Sequence, residues 1–232
     1  MKPILIQKRK YKKDYSSLSK CRNLHINYLR VGKNMERKSL VKKFDKQANK
    51  SHKRQKNNSA YQFRDRVFQD VEGKVLEVGV GSGLNFPFYK DVELTGVDFS
   101  SEMLKIARNV AKEYPFKATF IQEDVESVKF NENTFDTIVS SGTLCAYQDP
   151  VIVLNNFQKW CKPEGKILMM EHGISTNKQI AWLQKILDPL ALKLVGCHQN
   201  RNISEIVKRS SLKLIREERY MAGYLYLIWA KP

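Results

Sequence analysis

No stretch of this sequence approaches the roughly 18 consecutive apolar residues that a membrane-crossing helix needs, so no spanning segment is expected. The start shows no apolar core of a secretory signal either. Cysteine is scarce. Cys21, Cys145, Cys161 and Cys197 show neither the paired spacing of a metal site nor the density of a disulfide scaffold, which suits a reducing compartment and predicts no bound metal. The adjacent Cys197 and His198 read as a turn, because two neighbouring ligands without a second pair make a poor site.

Acid is also nearly missing from the first quarter of the chain. Residues 1–66 hold 21 Lys and Arg against 4 Asp and Glu, whereas residues 67–232 hold 20 against 20, so the net charge of +17 belongs to the leader alone. Met1 to Lys13 has six Lys or Arg and no acid, the composition of a mitochondrial address, although such addresses favour Arg and this one favours Lys. The same charge, with clusters at Lys8–Lys13 and Lys50–Lys56 and with Tyr11, Tyr15, Tyr28 and Tyr61 for stacking, suits RNA or an anionic membrane surface. A solvated extension with the remainder cytoplasmic is the plain alternative. Leu40, Val41, Phe44 and Ala48 share one helical face, so residues 36–50 are expected to contain an amphipathic helix able to cover a cleft.

The neutral remainder has 42% hydrophobic residues in the whole composition behind it, enough for one core of ordinary size. It is organised around residues 75–85, Val-Leu-Glu-Val-Gly-Val-Gly-Ser-Gly-Leu-Asn. Lys74 to Val78 suits a buried parallel strand. Gly79, Gly81 and Gly83 then let the backbone turn sharply under a ligand, and a helix starting near Ser82–Asn85 would aim free N–H groups at it. Two common ligands are disfavoured by what the loop lacks. The dinucleotide fingerprint wants glycine or alanine where Leu84 stands, and no Lys-Ser or Lys-Thr follows for a nucleoside triphosphate.

Nineteen positions after Gly79, Asp98 closes a second strand, where a carboxylate can accept both hydroxyls of a ribose. Ser100 is a cap for a helix from Ser101 to Tyr114. Further strands are expected at Thr119–Gln122, Phe135–Ser140 and Lys166–Glu171, with a helix at Pro150–Trp160 and a turn at Lys162–Gly165. Ser59–Asp70 reads as a short helix capped by Ser59. In the tail, a helix over Lys178–Leu194 is expected to kink at Asp188-Pro189. A shorter helix at Ser204–Arg209 precedes two strands, Leu212–Arg219 and Tyr224–Ala230, close enough to pair as a hairpin around Gly223.

The words LEVGVGSG, TGVDFSSEML, EDVE and FDTIVSSGTLC resemble the successive motifs of class I S-adenosylmethionine-dependent methyltransferases. LCAYQDP, KPEGKILMMEHG and LQKILDPLALKLVGCHQNR are similar in particular to the animal thiol S-methyltransferase group called methyltransferase-like protein seven. The first motif and second strand also resemble bacterial phosphatidylethanolamine N-methyltransferases and quinone C-methyltransferases.

The resemblance implies an α/β, doubly wound Rossmann-like fold with a seven-stranded, mostly parallel sheet and an antiparallel C-terminal hairpin. The methyltransferase domain would occupy residues 59–232 and the basic extension 1–58. It implies S-adenosyl-L-methionine as donor, with Glu77 ordering the loop that contains Gly79, Gly81 and Gly83. Asp98 would hold the ribose, Met103 would pack on adenine, and Asp124 with Val125 would read the adenine edge. The acceptor would be a small thiol or lipid-like molecule attacking the methyl group in line. His172, at a strand's carboxyl end, is the candidate catalytic or orienting residue. Cys145, Asp188, His198 and Arg201 are candidates for the acceptor side, with Arg201 holding an anion or pairing with Asp188. A contrasting expectation is a non-catalytic module docked on a ribonucleoprotein through the leader.

Overall fold

The computed structural model describes residues 38–48 and 60–232, and its contacts divide the chain between Ser39 and Leu40. The fold below is that of Leu40–Pro232. The basic clusters at 8–13 and 50–56, and Ser59, lie outside the described residues.

Strand β1, Lys74–Val78, is buried at all but its first position. Such a run cannot face water on either side, and it becomes the centre of the sheet. β1 pairs in parallel with β2, Glu93–Asp98, and with β4, Phe135–Ser141. β3, Lys117–Gln122, extends the sheet beyond β2, and β5, Cys161–His172, extends it beyond β4, both in parallel. β7, Leu225–Lys231, then adds antiparallel to β5, with β6, Lys213–Tyr220, antiparallel outside it. The order is β3-β2-β1-β4-β5-β7-β6. Connections leave β1 towards β2 on one side and reach β4 on the other, which opens a crevice beyond the carboxyl ends of β1 and β4.

Alternate side chains on the strands feed two cores. Leu76, Ile138, Ile167 and Ile228 face one layer, with Val153, Leu154 and Phe157 from α4, Pro150–Trp160, and Ile203 and Val207 from α6, Ile203–Arg209. Their neighbours Val75, Val139, Leu168 and Leu227 face the other. There they meet Val67 and Phe68 from α2, Tyr61–Phe68, and Leu104, Ala107 and Val110 from α3, Ser101–Ala111. Each fully buried side chain of this size contributes about 1.5–3 kcal/mol.

Residues 38–48 are helical and form α1. Leu40 packs where Gly196 leaves room for it, while Lys43 Nζ and Gln47 Nε2 donate to Leu192 O and Val195 O at 3.3 Å each. These carbonyls lie at the end of α5, Lys178–Leu194, so the two side chains tie α1 to its last turn. α5 buries only Asp188 and leaves Trp182, Leu183, Ile186, Leu187 and Leu190 exposed. No helix among the described residues is long and apolar enough to cross a membrane.

Several local expectations are corrected. No α-helix starts at Ser82–Asn85; turns lead instead into a 3-10 helix at Phe86–Phe88, because Gly79, Gly81 and Gly83 all take positive φ and left-handed residues cannot propagate a right-handed helix. α2 begins at Tyr61 behind Ala60 with no side-chain cap. α3 ends at Ala111, ahead of the Tyr114-Pro115 step that disfavours helix. Lys162–Gly165 lies within β5 as an irregularity, with the ladder resuming at Lys166 opposite Thr137. α5 holds Pro189 inside one helix, as expected, and its missing N–H would have met the carbonyl of Lys185 on an exposed turn that water can satisfy.

Candidate active site

The crevice predicted by the strand order is built first from β1. Glu77 is fully buried near its end and accepts hydrogen bonds from Asn85 Nδ2 at 2.7 Å and Tyr89 OH at 2.8 Å. Burial raises its pKa from 4.5 to about 7, against these two hydrogen bonds and the nearby Arg64 charge. The glycine loop follows. A Cβ on Gly79 would stand 2.4 Å from Thr143 Cγ2, so the loop passes the β4 side closer than any side chain permits. Gly81 N donates to Asp98 Oδ2 at 2.9 Å, and Ser100 N donates to Oδ1 at 2.9 Å. Asp98 is thereby fixed at the end of β2 with its carboxylate against the loop. Ser100 Oγ caps α3 by accepting from Met103 N at 3.1 Å, as its residue type predicts.

The opposite wall is the turn after β4, held from behind by Glu171. This buried carboxylate of β5 accepts from Ser140 Oγ at 2.7 Å, Thr143 N at 2.9 Å and Leu144 N at 3.2 Å. Its pKa rises to about 6 through burial, against those hydrogen bonds. Arg201 braces the same turn, its guanidinium donating to Leu144 O and Tyr147 O at 2.5 Å each. Between the walls lies a cleft of about 160 Å³. Phe44 of α1 and Phe99 close one side, their rings edge to face at 5.2 Å, and Asp45 Oδ1 accepts from Ser100 Oγ at 2.5 Å beside them.

Of the residues singled out from sequence, Glu77, Gly79, Gly81, Asp98, Met103 and Val125 line this cleft. Gly83 and Asp124 stand behind it. Gly83 N closes the loop on Val80 O, and Asp124 orders the turn after β3 by accepting from Glu126 N at 2.9 Å. The residues missed are Arg64, Tyr147 and Thr143. Arg64 reaches the cleft from α2, donates to Asn85 Oδ1 and to Ser141 Oγ at 2.9 Å, and keeps a buried Nε with no partner. The hydroxyl of Tyr147 is buried without a partner as well. Two unsatisfied donors beside open space are the mark of a site built for a polar ligand. Local sequence around Arg64, one of many basic residues there, carries no sign of this.

The acceptor-side candidates do not line the cleft. Asp188 pairs with His198 Nδ1 at 2.8 Å and accepts from Gln199 N at 2.6 Å, and these contacts hold its pKa down despite burial. The expected Asp188–Arg201 pair is therefore corrected: the guanidinium is taken by the turn carbonyls, which have no strand or helix partner and need donors. His172 stacks on Tyr224 with ring centroids 5.3 Å apart, and Cys145 and Cys197 lie beside it.

Comparison with known proteins agrees with this geometry. A family described as "Methyltransferase domain" matches residues 76–169. The chain is similar to the protein named "Methyltransferase OMS1, mitochondrial" of Saccharomyces cerevisiae, 33% identical over 72% of this chain and 40% of that one. It is also similar to a phosphatidylethanolamine N-methyltransferase of Cereibacter sphaeroides, 30% identical over 66% of this chain and 77% of the relative. A thiol S-methyltransferase, TMT1B, of Rattus norvegicus is 28% identical over 68% of this chain and 67% of its own length. The chain thus spans less than half of the yeast relative.

Proposed function

This chain belongs to the class I S-adenosylmethionine-dependent methyltransferases, and on that premise we propose that it methylates a small-molecule thiol by direct in-line displacement. The observation that carries the reading is the state of the cleft carboxylates. Glu77 and Asp98 are each fixed by two hydrogen bonds from the protein and, in this reading, are committed to the donor's amino group and ribose, which leaves neither as the base for an acceptor proton. A thiol with pKa near 8.5 supplies its own thiolate at neutral pH and needs no such base. A protonated amine does need one.

The residues present fit the donor. Gly79 and Gly81 leave main chain bare beside the cavity, where a Cβ at Gly81 would meet only the Gly79 carbonyl, at 3.9 Å. Asp98 would accept the ribose hydroxyls, Met103 and Val125 would flank the adenine, and Asp124 would order the turn that includes Val125. Arg64, through its unpartnered Nε, would take the donor's carboxylate, with Glu77 drawn towards its amino group. The donor supplies a methyl group already activated by a sulfonium. The protein's task is then alignment and exclusion of water, which Phe44, Phe99 and Tyr147 perform as walls. His172 and Cys145 lie outside this lining and act, in this reading, on the wall rather than on the reacting atoms.

A lipid-like amine is the second reading, favoured by the likeness to a phosphatidylethanolamine methyltransferase. A mitochondrial address is proposed from the acid-poor residues 1–13 and the name of the yeast relative. RNA docking through the leader finds no support in the described residues.

The test is transfer of labelled methyl from S-adenosylmethionine by the full chain to small thiols, phosphatidylethanolamine vesicles and RNA, with Asp98→Ala as control. Label on a thiol, lost in the control, is expected. Label confined to the lipid would replace the thiol reading with the second, and donor binding without transfer to any acceptor would remove both.

A further inference from the structure

Three side chains that are far apart in sequence meet behind the cleft wall. Cys145 comes from the turn after β4, His172 is the last residue of β5, and Cys197 lies in the loop after α5. Two sulfurs and one ring nitrogen lie within 4.8 Å of one another, the one such grouping of metal-ligating side chains among the described residues. Both thiols are buried, and His172 Nδ1 is buried with no hydrogen-bond partner. One nitrogen of this ring lies with the two sulfurs, and an ion is the simplest ligand that uses all three groups at once.

We propose that Cys145, His172 and Cys197 form a Cys2His site for a thiophilic d10 cation of the zinc type. Zinc takes thiolates at about 2.3 Å and imidazole at about 2.0–2.1 Å, which sets tetrahedral ligand atoms roughly 3.5–3.8 Å apart. The three groups therefore need to close by about 1 Å, within reach of single side-chain rotations of the cysteines. Carboxylate-preferring ions such as magnesium and calcium are poorly matched to two sulfurs. Three protein ligands leave a fourth position for water or an anionic sulfur ligand.

The surroundings are organised as ligand supports are elsewhere. His198 N donates to Cys145 O at 3.0 Å, which ties the residue after Cys197 to the main chain of the other sulfur ligand. Tyr224 stacks on the His172 ring at an interplanar angle of 16°, and its hydroxyl donates to Gln199 Oε1 at 3.1 Å. Gln199 is in turn held by Asp188. The bound ion would join the cleft wall at Cys145 to the end of β5 and to the loop after α5. None of this depends on which acceptor the enzyme uses.

The proposal is tested on the full chain, reduced with a phosphine and stripped of metal, by titration with cobalt(II) and then zinc(II). One equivalent of cobalt should give sulfur-to-metal charge-transfer absorption and the visible bands of a tetrahedral site, displaced by one equivalent of zinc. Cys145→Ser and Cys197→Ser should each lose the charge-transfer band or halve it, and His172→Gln should weaken binding at least about tenfold. Cys161→Ala, whose thiol lies elsewhere in the core, should keep the wild-type spectrum. Because the wild-type spectrum itself reports sulfur ligation, poor folding of a variant does not remove the test. Absence of a stoichiometric spectrum in the wild type, or rapid formation of a Cys145–Cys197 disulfide under mild oxidant in the presence of zinc, would overturn the proposal in favour of a redox pair.

Discussion

Glu77 and Glu171 occupy comparable places, each near the carboxyl end of a parallel strand, each fully buried and each made a weaker acid by burial. Their surroundings separate them. Glu77 accepts from two side chains, Asn85 and Tyr89, and lines the cleft. Glu171 accepts from main-chain N–H groups of Thr143 and Leu144 and stays behind the wall. The first is available to a ligand that brings positive charge, whereas the second is spent on holding a turn that has no other donor sink. Burial and strand position alone do not mark a carboxylate as functional; what its partners leave free does.

The largest effect expected from this contrast is at Glu171. Glu171→Ala leaves the Thr143 and Leu144 amides without an acceptor and takes one of two partners from the Ser140 hydroxyl, and should destabilise the fold by about 4 kcal/mol, read as a Tm lower by about 10 °C. A loss as small as that of a surface substitution would erase the distinction between the two glutamates. Next, Asp98→Ala removes the proposed ribose acceptor and frees the Gly81 amide, so donor affinity by calorimetry should fall about a hundredfold, or ~3 kcal/mol. Retained affinity would move the ribose elsewhere in the cleft.

Acidity gives the third test. Glu77 binds its proton more tightly in the folded chain, near 7, than at its ordinary 4.5, and Glu171 does so to about 6. Their contribution favours folding in acid and is lost as pH rises from about 4.5 to about 7. Glu77→Gln should flatten part of that decline, by about 3 kcal/mol, while weakening the donor about tenfold. Wild-type donor affinity should itself rise as pH passes through 7, with a proton released on binding. Calorimetry in buffers of different ionisation enthalpy reads this, and proton uptake would contradict the role given to Glu77.

The smallest effect compares two glycines of the cleft. Gly142, at φ +67°, faces open space, so Gly142→Ala should cost only about 1 kcal/mol for the backbone conformation. Gly79, at φ +61°, faces Thr143, so Gly79→Ala should cost clearly more and weaken the donor too. Equal losses in thermal unfolding would mean that the wall yields.

Much of this was legible in sequence wherever a local rule applies. The run Lys74–Val78, the glycines at every second place, Asp98 at a strand end and Ser100 as a cap each follow from backbone chemistry, and each stands where the pattern put it. The loss began where three-dimensional closure decides. Arg64 acts from a helix before the first strand, and nothing near it in sequence separates it from other arginines. Arg201 was expected either to hold an anionic substrate group or to pair with Asp188, because charge suggests both, yet carbonyls of a distant turn claimed it. Cys197 and His198 read as a plain turn because neighbours alone make a poor ligand pair, and the two side chains do diverge: His198 reaches Asp188 while Cys197 joins Cys145 and His172, from segments more than 20 residues away in the chain.

The place of β7 has a consequence for synthesis. β7 follows every other strand in the chain, yet it sits inside the sheet between β5 and β6. While Leu225–Lys231 are still within the ribosome, β5 presents an open edge whose N–H and C=O groups have no neighbour from Ile167 to His172. A nascent chain at that stage offers a template for foreign strands. The seven-residue strand β7 is therefore the piece that covers the sticky edge of such an intermediate.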